Sequence, residues 1–197
     1  MTGATHPIVA ITGASGSCYG VRLLEVLIAA GIEPYVVVSP AGRQVMALEM
    51  GSGDLRDHLG ASGWREEEVR DLASPLASGS FPTSGMVIAP CSTGTLGAVA
   101  HGISTNLIHR AAEVCLKERR PLIVVPRETP LSAIVLQNML TLAQAGVHVA
   151  PANPGFYHNP KQISDLVDFM VARVLDLMKV PHSLSRRWTG MPVLEER

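Results

Sequence analysis

Apolar residues in this chain gather into short continuous runs separated by longer stretches of helical periodicity. Residues 8–11, 34–38, 86–90 and 121–126 are almost wholly apolar and rich in β-branched side chains, with a shorter run at 147–150. Runs of this length, bounded by glycine, proline or serine, read as buried strands. Between them the period changes. Leu23, Leu24, Leu27 and Ile28 form a stripe over 21–30, in a helix that starts near Ser17 and is stopped by Gly31. Further helices are predicted from Pro40 through Glu49 and over 54–59, 96–101 and 106–118. The helix over 132–145 is expected to turn Leu136, Met139, Leu140 and Ala143 inward. The last, over 161–179, is expected to bury Ile163, Leu166, Val167, Met170, Val171, Val174 and Met178, with Arg173 on the flank of that face.

Residues 51–84 have too little apolar periodicity for a second core. The charge run at 65–71 reads as a solvated face, and 77–82 has loop composition. The alternation of strand and helix predicts an α/β fold: a single-domain, Rossmann-like, mostly parallel doubly wound sheet with helices on both faces. The whole of 1–197 is read as one domain, with 181–197 a tail that packs on a neighbouring subunit. That tail carries the basic cluster Arg186-Arg187-Trp188.

Composition adds constraints. The 197 residues suffice for one domain with a sizeable core. Charged residues are only 17%, which points to surface buried in an oligomer. A net charge of −1 argues against general attraction to nucleic acid or membrane, so local basic spots must carry any anion binding. The three cysteines, Cys18, Cys91 and Cys115, show no metal-ligand spacing and suit a reducing cytoplasm. No signal peptide is visible, and no apolar run approaches the roughly 20 residues of a membrane span.

Candidate chemistry falls after the strands. Gly13-Ala14-Ser15-Gly16 joins the first strand to its helix. Glycines there allow positive φ and close approach, and the helix turns amide N–H groups toward the turn. The turn reads as a phosphate cradle, suited to a mononucleotide, or as a plain connection. Ser39 follows the second strand, and Ser92-Thr93-Gly94-Thr95 the third. Arg127 and Glu128 follow the fourth, either an anion and proton-transfer site or a surface ion pair. Arg110 and Lys117 share one helix face, as part of a site or as solvated cations. Tyr157 and His158 sit in a proline-punctuated loop, facing a ligand or serving as packing anchors. In an open parallel sheet, groups at strand carboxyl ends converge on one edge.

The chain resembles the UbiX/Pad family of flavin prenyltransferases from about Ile8 to about Trp188. The signatures are Thr12-Gly13-Ala14-Ser15-Gly16, the 89–95 segment Ala-Pro-Cys-Ser-Thr-Gly-Thr, the 116–122 segment Leu-Lys-Glu-Arg-Arg-Pro-Leu, Val125-Pro126-Arg127-Glu128 and Pro154-Gly155-Phe156-Tyr157-His158. Their order and spacing carry the resemblance. It implies an enzyme that joins a dimethylallyl group from dimethylallyl phosphate to N5 and C6 of reduced FMN. The prenylated FMN then serves a UbiD-type decarboxylase. It also implies no metal, and a homo-oligomer, often a dodecamer, with sites at subunit interfaces.

Carried over by position, the resemblance implies that Gly13, Ala14, Ser15, Ser39, Ser92, Thr93, Gly94, Thr95 and Arg127 bind FMN. Tyr157 and Arg173 bind the donor, and Arg110 and Lys117 complete the anion site from a neighbouring subunit. Glu49 and Glu128 lie near the reacting groups. Ser15, Glu49, Glu128 and Lys117 are the catalytic candidates. The cations would stabilise the departing phosphate. Glu128, Ser15 or the released phosphate would take the proton lost on ring closure. One departure stands out: Leu72 replaces a tryptophan that many members carry before the Ala-Ser-Gly-Ser loop, which removes a cation–π contact to the allyl cation. His109, in place of a common acidic residue, reads as a helix-surface residue. Two other classes compete: a flavin-binding paralogue that is non-catalytic or uses another donor, and an FMN-dependent cysteine-type decarboxylase.

Overall fold

The structure is a computed structural model, and it describes residues 6–185 and Gly190. The tail cluster Arg186-Arg187-Trp188 lies outside the described residues. In chain order the elements are β1 (Ile8–Ile11), α1 (Ser17–Ala29), β2 (Tyr35–Val38), α2 (Pro40–Met50), α3 (Arg56–Leu59) and β3 (Arg65–Glu66). They continue with β4 (Met86–Cys91), α4 (Thr93–Ala100), α5 (Leu107–Lys117), β5 (Leu122–Pro126), α6 (Ala133–Gln144), β6 (His148–Val149) and α7 (Ile163–Met178).

The strands form one six-stranded sheet in the order β3-β2-β1-β4-β5-β6, with every neighbouring pair parallel. This is the mostly parallel sheet expected from the sequence, and its order reverses between β1 and β4. Such a reversal opens a crevice at the carboxyl edge.

Strand periodicity splits the core in two. Ile8 and Ala10 of β1, with Ile88 of β4 and Val124 of β5, face the layer of α4, α5 and α6. Val9 and Ile11, with Val87 and Val125, face α1 and α7. All of these strand residues are buried, as a parallel sheet covered on both faces requires.

Four details differ from the sequence-based expectation. The charge run contains β3, which pairs with β2 through its backbone (Tyr35↔Arg65, Val36↔Glu66) while Arg65 pairs with Glu33 at 3.0 Å. Helix α4 begins at Thr93 rather than 96, because Ser92 caps it. In α6 the core side is Val135, Asn138, Met139 and Leu142; Leu136 and Leu140 are each 50% exposed and Ala143 is also outside. That helix has two apolar faces, and periodicity alone does not rank them. Ile163 is 79% exposed at the first turn of α7, ahead of the stretch that reaches the core. Among the described residues no helix is long and apolar enough to cross a membrane.

Candidate functional site

The first strand-end turn is shaped by two glycines with different tasks. Gly16 caps α1 at φ 104°, a left-handed conformation that favours glycine. Gly13 has no such φ; a Cβ on it would stand 2.6 Å from the Ala41 Cβ, so it is needed because α2 lies against the turn. The expectation of positive φ at both is corrected at Gly13.

The amide groups at the start of α1 do meet an anion, and it belongs to the protein. Gly16 N donates to Glu49 Oε1 and Oε2 at 3.0 Å each, and Ser17 N donates to Oε2 at 2.9 Å. Burial pushes the Glu49 carboxyl up, but the Ser15 hydroxyl and the Ser17 and Gly16 amides outweigh it and hold the group below its ordinary value. Glu49 thereby satisfies the dipole end that the sequence offered to a phosphate. Cys18 is driven the other way, by burial and then by the Glu49 charge, so its thiol stays protonated near neutrality.

A pH dependence follows. A carboxylate whose folded pKa is depressed contributes stability above its unfolded pKa and loses it as pH falls through the folded value. Wild-type protein should therefore melt about 2–4 °C above Glu49→Gln at pH 7, a typical helix-terminus effect. The gap should close below about pH 4. Thermal melts from pH 3 to 7 measure it; a pH-independent gap would remove the assigned cause.

The second and third turns meet the first along the same edge. Ser39 caps α2, accepting from Gly42 N at 2.9 Å. Ser92 caps α4, accepting from Thr95 N at 3.3 Å and donating to Thr95 Oγ1 at 3.1 Å. Thr12, to which sequence reasoning gave no role, ties two turns together. Its buried hydroxyl donates to Pro90 O at 2.8 Å and accepts from Ser92 N at 2.8 Å. A polar residue closing an otherwise apolar strand was the available signal. Arg127, after β5, donates through Nε to Ser15 O at 3.1 Å. Thus Gly13–Ser15, Ser39, Ser92–Thr95, Glu49 and Arg127 converge.

Beside them, a pocket of about 220 Å³ is lined by Arg127, Glu128, Met139 and Asn153. Cavities of about 320 and 330 Å³ lie instead at the amino edge, near Gly85 and near Arg119. They are larger but hold none of the converging turns.

Arg110 and Lys117 are not brought to this edge within one chain. Helix α5 descends toward the amino end of β5, and both cations rest on the loop before β4. Arg110 Nε donates to Ala77 O at 3.1 Å and its Nη1 pairs with Glu113 at 2.9 Å. Lys117 pairs with Glu118 beside Gly79. Tyr157 and Arg173 lie along α7. The Tyr157 ring meets Phe169 edge-on at 5.7 Å, and Arg173 is one turn further along the helix. His109 is pushed down by burial and bonds Thr105 at 3.0 Å. Leu72 is exposed. Among the described residues no group of three or more His, Cys, Asp or Glu is placed to hold a metal ion.

The edge fits a flavin mononucleotide. Hydroxyls surround it, a guanidinium stands beside it, and at Gly94 a Cβ would meet nothing within 4 Å, so the backbone is open to a ligand. The Flavoprotein family model matches residues 1–175. A flavin prenyltransferase UbiX of Pseudomonas aeruginosa is 46% identical over 200 residues, covering 95% of this chain and 96% of the relative. The crystal structure of a UbiX protein in complex with FMN and dimethylallyl pyrophosphate superposes with a TM-score of 0.90 at 37% identity, over 96% of this chain and all of that one. A dodecameric, FMN-dependent UbiX-like decarboxylase from Escherichia coli O157:H7 gives a TM-score of 0.88 at 40% identity, over 94% of this chain and 100% of that one. The chain belongs to the flavoprotein family and, within it, to the UbiX flavin prenyltransferases.

Proposed function

We propose that this protein transfers the dimethylallyl group of dimethylallyl phosphate to N5 and C6 of reduced FMN, making prenylated FMN for a UbiD-type decarboxylase. The observation that supports it best is the meeting of three strand-end turns and Arg127 at one sheet edge. The chain that forms this edge matches UbiX relatives over nearly its whole length. When bound, reduced FMN supplies the electron-rich nitrogen and carbon.

The chain supplies the rest. Gly13, Ala14, Ser15, Ser39, Ser92–Thr95 and Arg127 hold the flavin. Tyr157 and Arg173 hold the donor phosphate. Arg110, Lys117, Arg127 and Arg173 stabilise the negative charge that grows as phosphate departs. Glu128, Ser15 or the released phosphate takes the proton lost on ring closure. Fixing two substrates in line supplies much of the remaining acceleration.

The assembly is a homo-oligomer, a dodecamer like the UbiX-like decarboxylase of E. coli. The exposed Ile134, Leu136 and Leu140 of α6 suit burial between copies. The chain is one domain. Its three cysteines are free, as a cytoplasmic protein's would be.

Anaerobic incubation with reduced FMN and dimethylallyl phosphate, read by mass spectrometry, should show flavin with one added C5 unit. A parallel run with the pyrophosphate tests which donor is used. No mass shift with FMN still bound would leave a carrier. Arg173→Ala should keep FMN and lose about 10²-fold in turnover; loss of FMN instead would overturn the division of the site.

A further inference from the structure

Arg173 is half-exposed, yet its guanidinium is held. Its Nη1 donates to Asp176 Oδ2 at 2.7 Å. The other carboxylate oxygen, Oδ1, lies 3.1 Å from His182 Nε2. The His182 side chain is 3% exposed, although the residue follows the end of α7. Lys179 makes the return possible: it caps the helix at φ 58°, and Val180 N then donates back to Leu175 O at 3.0 Å. The chain folds onto its own helix and sets His182 beside Asp176. Phe169, Arg173 and Asp176 share one face of α7, and the Tyr157 ring rests on the first of them.

We infer that Asp176 and His182 are positioning residues for donor binding: Asp176 holds the Arg173 guanidinium by one edge, and His182 holds Asp176. The inference rests on the proposed role of Arg173 toward the donor phosphate. Guanidinium carries five N–H donors in a planar fork, so one bond to Asp176 leaves others for a phosphate. An arginine tethered beforehand gives up less rotational freedom when the anion arrives. An exposed pair at this spacing usually does little. Here the carboxylate is itself restrained by a buried imidazole. His182 Nδ1 is buried without a hydrogen-bond partner among the described residues, so the bond to Asp176 is what the ring is placed to make.

The test uses the full chain in the anaerobic prenylation assay, varying dimethylallyl phosphate at saturating reduced FMN. Asp176→Asn should raise the donor KM about tenfold while kcat and FMN affinity stay within about twofold. His182→Ala should raise the same KM, and His182→Gln, which keeps a donor near the Nε2 position, should restore it. In an Arg173→Ala background, Asp176→Asn should add no further rise. A donor KM at the wild-type value in both Asp176→Asn and His182→Ala, with only a lower melting temperature, overturns the inference. If Asp176→Asn does not fold, the His182→Ala and His182→Gln pair decides alone. If Arg173→Ala itself leaves the donor KM unmoved, the assignment of Arg173 fails. If it raises KM and the Asp176 and His182 variants do not, only the positioning role fails.

Discussion

Lys117→Ala is expected to lose about 10²–10³-fold in turnover while keeping FMN, and to regain activity when assembled with Ser15→Ala subunits. The reason is topological. Ser15 lies after β1, at the carboxyl edge of the sheet, where Arg127 bonds its carbonyl. Lys117 ends α5 and lies against the loop that leads into the amino end of β4. One chain cannot fold these two edges together, because the sheet stands between them. A site containing both must take them from different copies. Each single variant then damages a different half. Random co-assembly leaves about a quarter of the sites with both halves intact, if two copies build each site. Native mass spectrometry verifies mixing, and flavin mass reports turnover. Mixed oligomers as inactive as their parents would mean that Lys117 and Ser15 serve one chain, or that Lys117 is not in the site.

Gly20→Val should lower the melting temperature by about 6–12 °C, corresponding to about 3 kcal/mol in a chain of this size. Gly20 sits in the second turn of α1, where glycine is normally unfavourable. A Cβ there would stand 2.3 Å from the Ala89 carbonyl oxygen and 2.8 Å from Ile11 Cγ1. Neither can retreat: both belong to central strands buried on both faces. The helix would have to lift off β4 and carry the Gly16 cap with it, so FMN affinity should fall in parallel. Differential scanning calorimetry with a flavin titration measures both. A melting temperature within about 2 °C of wild type would show that the layer is looser than these contacts imply.

The strands that matter to the site were legible because continuous β-branched runs have few alternative homes. The strand–helix alternation then placed Ser15, Ser39, Ser92 and Arg127 on one edge without coordinates. Other features left no local trace. Two charged residues, Arg65 and Glu66, become a strand only because β2 offers backbone partners. Leu136 and Leu140 follow the same period as Met139, and which side meets the sheet depends on how α6 is docked. Glu49 was read as an acid near the chemistry, but its bonds to Gly16 and Ser17 span more than 30 positions and need α2 laid across the turn. The bond between His182 and Asp176 depends on a left-handed Lys179, a conformation that a lysine in sequence does not announce.

The two-sided core of β1 has a further consequence. Ile8 and Ala10 belong to one helical layer and Val9 and Ile11 to the other, so the strand has only two ways to face, and they are not equivalent. Slipping by a single residue would exchange the contents of the layers and also swing Thr12 away from the Pro90 carbonyl. The hydroxyl that joins the first and third turns is thus indexed by the same parity that sorts the core. Any error in threading the central strand would be registered simultaneously as a packing fault and as a broken site, leaving no well-folded species with misaligned chemistry.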